Sequence, residues 1–129
     1  MKHPQRVADY LAHIVEAIAR ATRYIEPLQD IEAFRQNPQV QDAIVRNIEI
    51  VGEAANQIAR MAPDFIPQHP ELPWRKMRNM RNIVVHAYFN VDLTIVWRTV
   101  REDLPRLKQQ IDQLLSKAPT APKPDARSR

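Results

Sequence analysis

The stretch RNIVVHAYF, residues 81–89, sets four hydrogen-bonding side chains into an apolar run: Arg81, Asn82, His86 and Tyr88. Histidine exchanges protons near neutral pH. Arginine is permanently charged, and its planar fork matches phosphate oxygens. An Arg and a His brought together can cleave RNA without a metal. The ribose 2′-OH attacks the adjacent phosphate, the His moves a proton, and the Arg stabilises the charge growing on the phosphorane. DNA lacks that internal nucleophile, so the same pair would leave it intact. The competing reading is structural: a lone His on a helix is often a satisfied packing residue, and an Arg near a Tyr is often an interhelical hydrogen bond.

Helix geometry adds a condition. Five residues at about 100° each put Arg81 and His86 roughly 140° apart around a straight helix. Asn82 and His86 share a face, with Arg78 on the same row, while Arg81 and Tyr88 share another. One straight helix therefore aims Arg81 and His86 poorly at one point. Either the helix distorts near Val85, or a second copy of the chain completes the site. A two-fold homodimer would bring two Arg and two His to one cleft.

Other chemistries have less to stand on. The chain has no cysteine, so thiolate metal sites and disulfides are excluded. His3, His13, His69 and His86 lack ligand partners at useful spacing, so no metal is expected. A single glycine cannot build a phosphate-cradling loop, and no cofactor is expected. Ser116 and Ser128 are the only serines and lie at or past the last helical pattern.

The net charge of +4 is unevenly placed. From Lys117 onward, Lys117, Lys123, Arg127 and Arg129 stand against Asp125 alone. Between Leu72 and Val91 there are Arg75, Lys76, Arg78 and Arg81 and no acid. Such a field attracts polyanions, which makes Arg75, Lys76 and Arg78 candidate RNA or phosphate contacts. The bland alternative is a solvated basic helix face.

The elements that must position these residues read as helices. One glycine in 129 residues argues against a β-rich fold. Val7, Leu11, Ile14, Ile18 and Ile25 recur at helical spacing between Pro4 and Glu26. A short helix is expected from Asp30 to Arg35, with Asp30 as its N-cap. Asn37-Pro38 opens a long helix to about Met61, through Val40, Ile44, Ile48, Val51, Ala55 and Ile58. Gly52 inside it implies close approach by another helix, along a stripe with Ala55 and Ala59. Pro63, Pro67, Pro70 and Pro73 predict a stiff loop that no helix crosses. A helix starting near Pro73 or Trp74 then carries the motif, and Asn90-Val91-Asp92 is a turn with Asp92 as N-cap. A last helix runs to about Ser116 through Leu93, Val96, Val100, Leu104, Leu107, Ile111 and Leu114, with a kink or split near Glu102 because of Pro105. The expected fold is all-α, an antiparallel bundle of four main helices and one short one over residues 1–115. Residues 116–129, with three prolines and surplus charge, form an expected disordered tail. No signal peptide or membrane-length apolar run is visible, so a cytoplasmic protein without membrane contact is expected.

RNIVVHAY resembles the R-x4-H-x-Y motif of HEPN-domain ribonucleases, in the branch of HepT-like toxins. VRNIEIVGEAA (45–55) resembles the long second helix of that family, and PWRKMRNMRNIVVHAYFNVDLTIVW (73–97) its motif helix, turn and following helix. The resemblance covers most of residues 5–115. It implies that Arg81 and His86 are the catalytic pair and that Asn82 is a polar helper. It also implies a metal-independent endoribonuclease that acts on cellular RNA as a homodimer with a composite cleft. Toxins of this kind are paired with a minimal nucleotidyltransferase antitoxin of the MntA type, which transfers AMP to the motif tyrosine, here Tyr88. The alternative from another class is a non-catalytic helical adaptor that binds RNA or nucleotide, or scaffolds a nucleotidyltransferase.

Overall fold

The computed structural model describes the backbone of residues 4–89 and 92–117, and the side chains of residues 6–82 and 92–117. The expected turn residues Asn90 and Val91, and the tail from residue 118, lie outside the described residues. The elements are helices α1 (Pro4–Ile25), α2 (Ile31–Arg35), α3 (Pro38–Met61), α4 (Phe65–Gln68), α5 (Trp74–Phe89) and α6 (Leu93–Arg98), a π-helical turn (Thr99–Asp103), and α7 (Leu104–Lys117). There is no strand among the described residues, as the near absence of glycine implied.

The caps lie where the sequence placed them. The Asp30 side chain accepts from the Ala33 amide, and Asn37 accepts from the Val40 amide ahead of Pro38. Asp92 accepts from the amides of Thr94 and Ile95. Each cap satisfies first-turn donors that have no partner within the helix.

One core joins all the main helices. Leu11, Ile14 and Ile18 of α1 are buried against Ile44, Ile48, Val51 and Ile58 of α3. Met77 and Met80 of α5, and Leu104, Leu107 and Ile111 of α7, close it. Helix α3 is the centre, with its most extensive contacts to α1 on one side and α5 on the other. Into this apolar seam α3 sets one buried polar residue, Asn47. Its Oδ1 accepts from Arg20 Nε of α1 at 3.0 Å, and its Nδ2 donates to the Ala43 carbonyl at 2.8 Å. Both ends of the amide are thereby partnered, which is what burial of a polar group requires.

Two prolines act differently. Pro105 splits the last helix as expected. Its ring clashes with the carbonyl four residues back and it offers no N–H. The wider π turn over Thr99–Asp103 absorbs the mismatch just before it. Pro67 departs from the expectation of an uninterrupted loop, because it sits inside the one-turn helix α4. Its place in a first turn costs nothing, since that N–H would have no partner in the helix. The loop is then fastened to α5: Trp74 Nε1 donates to the His69 carbonyl at 2.8 Å, and the Phe65 ring meets Trp74 edge-on at 5.9 Å. No helix among the described residues is long and apolar enough to cross a membrane.

Ile48 of α3 is fully buried in the core. Ile48→Ala should destabilise the fold by about 2–5 kcal/mol in urea unfolding. A loss below about 1 kcal/mol would mean the seam is not close-packed there.

Candidate active site

The side chains of the motif helix α5 described up to Asn82 fall into a buried set and an exposed set. Trp74, Met77 and Met80 are buried, whereas Arg75, Lys76, Arg78, Asn79, Arg81 and Asn82 are exposed. The buried residues recur every three positions, which leaves most of the polar ones on the outer side and Arg81 at the edge of the buried face. Helix α5 is α-helical from Trp74 through Phe89 without a break at Val85. The side chains of His86 and Tyr88, and of Ile83, Val84 and Ala87, lie outside the described residues, and with them the Arg81–His86 separation.

Arg81 is positioned by its backbone. A Cβ placed on Gly52 of α3 would lie 2.8 Å from Arg81 Cγ, 2.9 Å from the Arg81 amide nitrogen and 3.4 Å from the Met77 carbonyl oxygen. The only glycine of the chain thus lies where the α5 backbone approaches α3 too closely for a Cβ. This is the packing reason that a glycine within a helix demanded. Four residues further along α3, Asn56 Oδ1 accepts from Arg78 Nε at 2.8 Å. Moving forward on α3 from Gly52 to Asn56 moves the partner back from Arg81 to Arg78, so the two helices run antiparallel. The position of Asn56 beside Arg78 had no signal in the sequence. It follows from the register of two helices whose connecting loop gives no register of its own.

The three candidate phosphate contacts differ in their surroundings. Lys76 Nζ lies 3.2 Å from Asp103 Oδ1, an acid supplied by the π turn. The run of sequence around Lys76 has no acid, but the fold brings one to it. Lys76 and Asp103 also line a groove with Pro73, Met80, Arg106 and Leu107 between α5 and α7. Its walls carry both signs of charge, so it has no strong bias toward an anion. Arg78 is held by a neutral amide instead and keeps its full charge on the outer face. Arg75 is exposed one turn earlier. Among the described residues, no group of three His, Asp or Glu is placed to hold a metal ion.

The geometry at Gly52 makes a measurable demand. Gly→Ala in a helix ordinarily stabilises by about 1 kcal/mol. At Gly52 the added methyl must push on the Arg81 backbone, so Gly52→Ala should instead destabilise, by about 1–3 kcal/mol. Chemical unfolding of the variant reads this directly, and a gain in stability would contradict the close approach.

Comparison with known proteins identifies the family. The family described as "Ribonuclease HepT-like" matches residues 14–114, from the middle of α1 to near the end of α7. A "Probable ribonuclease HepT" of Thermococcus cleftensis is 42% identical over 106 residues, covering 82% of this chain and 93% of that protein. The "mRNA nuclease HepT" of Shewanella oneidensis is 29% identical over 124 residues, covering 77% of this chain and 93% of that protein. No solved structure matches the chain. With its all-helical bundle, its exposed Arg81–Asn82 pair and a match across nearly the whole of that bundle, the chain belongs to the HepT-like ribonuclease family.

Proposed function

We propose that this chain is the toxin of a two-component system: a metal-independent endoribonuclease that acts as a homodimer, with Arg81, Asn82 and His86 in a composite cleft. The observation that carries the reading is family membership, combined with an R-x4-H-x-Y motif on a helix whose described exposed side chains are basic or neutral. The Shewanella relative, named as an mRNA nuclease, supports cellular RNA as the substrate.

The chemistry follows from the side chains. A 2′-oxygen attacks the neighbouring phosphorus as its proton passes to one His86. The bond from phosphorus to the 5′-oxygen breaks, and the His86 of a second copy supplies the proton to that leaving oxygen. Arg81 stabilises the negative charge of the phosphorane, and Asn82 hydrogen-bonds a phosphate oxygen. The products are a 2′,3′-cyclic phosphate and a 5′-hydroxyl. A dimer answers the angular problem of Arg81 and His86, because the two functions can come from different copies. Purified protein should therefore cut RNA in the presence of EDTA and leave 2′,3′-cyclic phosphate ends. His86→Ala should lose at least about 100-fold in rate, the scale of general acid–base catalysis. Undiminished cleavage by His86→Ala would remove His86 from the mechanism.

The same reading includes regulation. Tyr88 shares a helix face with Arg81. A minimal nucleotidyltransferase antitoxin of the MntA type would join the Tyr88 phenol oxygen to the α-phosphorus of ATP, with pyrophosphate leaving and the phenol proton passing to solvent. The added AMP puts bulk and negative charge where an RNA phosphate must bind. Co-expression with such a partner should add the mass of one or more AMP units. A Tyr88→Phe protein that gains the same mass would exclude Tyr88 as the sole acceptor.

A further inference from the structure

The hydrogen bond between α3 and α5 points to a second phosphate contact beyond the cleavage site. We infer that Arg78, with its guanidinium held by Asn56, is a preorganised subsite for a phosphate that flanks the scissile one, and that Asn56 is its positioning residue. The inference rests on the ribonuclease reading above and extends it to how the strand is held.

Three observations combine. First, Asn56 Oδ1 accepts from Arg78 Nε at 2.8 Å, which restricts the guanidinium and, among the described residues, leaves both terminal nitrogens to donate outward. A fork fixed in advance loses less freedom when it grips a phosphate. Second, the partner is neutral. Lys76, on the same helix, is instead 3.2 Å from the Asp103 carboxylate, so the fold neutralises one cation of this helix and orients another without neutralising it. Third, the spacing separates the two tasks. Arg78 and His86 are eight residues apart on a continuous helix, about 12 Å along its axis. In the reading above Asn82 holds the scissile phosphate, and Arg78 lies one turn before it, about 6 Å along the axis, so a phosphate gripped at Arg78 is a neighbouring one along the strand. Arg78 and Asn82, exposed and one turn apart, give the strand a track along α5.

A subsite of this kind favours longer substrates. Cleavage should be compared for a dinucleoside monophosphate, whose only phosphate is the scissile one, and for an oligoribonucleotide carrying several phosphates on each side. Arg78→Ala should lower the ratio of kcat/KM for the longer substrate over the shorter by about fivefold, the size of one exposed charge contact, mostly through KM. Asn56→Ala should lower the same ratio by a smaller factor, and should lower it no further when Arg78 is already alanine. Arg23→Ala, which removes an exposed charge from α1, serves as the control for net charge. Equal ratios for Arg78→Ala and Arg23→Ala, or an undiminished effect of Asn56→Ala in the Arg78→Ala background, would overturn the assignment. A 2′-deoxy oligonucleotide separates this result from failure of the nuclease reading, because it reports binding alone. Its log affinity against log salt should lose about 0.7 of slope in Arg78→Ala, the share of one single-strand phosphate contact. An unchanged slope would overturn the subsite even if the protein cut no RNA.

Discussion

The contact on which the rest of this structure depends is the one between Gly52 and the backbone of α5. Helices ordinarily pack about 8–10 Å apart because side chains stand between them. Where Gly52 faces Met77 and Arg81, no side chain intervenes on the α3 side, and the Arg81 amide nitrogen sits within reach of any Cβ placed there. That approach sets the depth of α5 in the bundle. It also holds Arg81 at the edge of the helix interface, with a backbone against α3 and a side chain that remains exposed. A residue meant to meet phosphate needs both properties: a fixed origin and a free head.

From that contact the outer face of α5 takes its character. Met77 and Met80 turn inward to the core shared with α3 and α7. The polar residues between them must then face out, and α3 borders them on one side with Asn56 while the π turn borders them on the other with Asp103. Those two neighbours have opposite consequences. A carboxylate lowers the local positive field at Lys76, whereas an amide leaves the field at Arg78 intact and only restricts its orientation. The basic character of α5 is therefore graded across its width and not uniform.

The π turn shows how a local constraint reaches the site. Pro105 forbids a regular helix through Arg101, and the chain widens over Thr99–Asp103. The Thr99 hydroxyl donates to the Ile95 carbonyl at 2.8 Å, which partners the one buried polar side chain of the turn while Val100 stays in the core. Asp103 lies in this widened segment and reaches Lys76 from it. A proline that reads as a simple helix breaker thus also places an acid beside the motif helix.

Much of the fold was legible in the residues themselves. Caps at Asp30, Asn37 and Asp92, the apolar spacing of α1 and α3, and the split before Pro105 are local signals, and local hydrogen-bonding and steric rules settle them. The motif could be located, and the close approach at Gly52 could be anticipated, because a glycine within a helix needs a reason. Which residues meet that glycine could not be read. Nor could the pairing of Asn56 with Arg78, or of Asp103 with Lys76, or the burial of Asn47 beside Arg20. These contacts join residues 22 to 29 positions apart in the chain, and they depend on how far one helix slides along another. Spacing within a helix determines which residues share a face. Only packing between helices, through the summed burial of many apolar side chains, determines what that face meets.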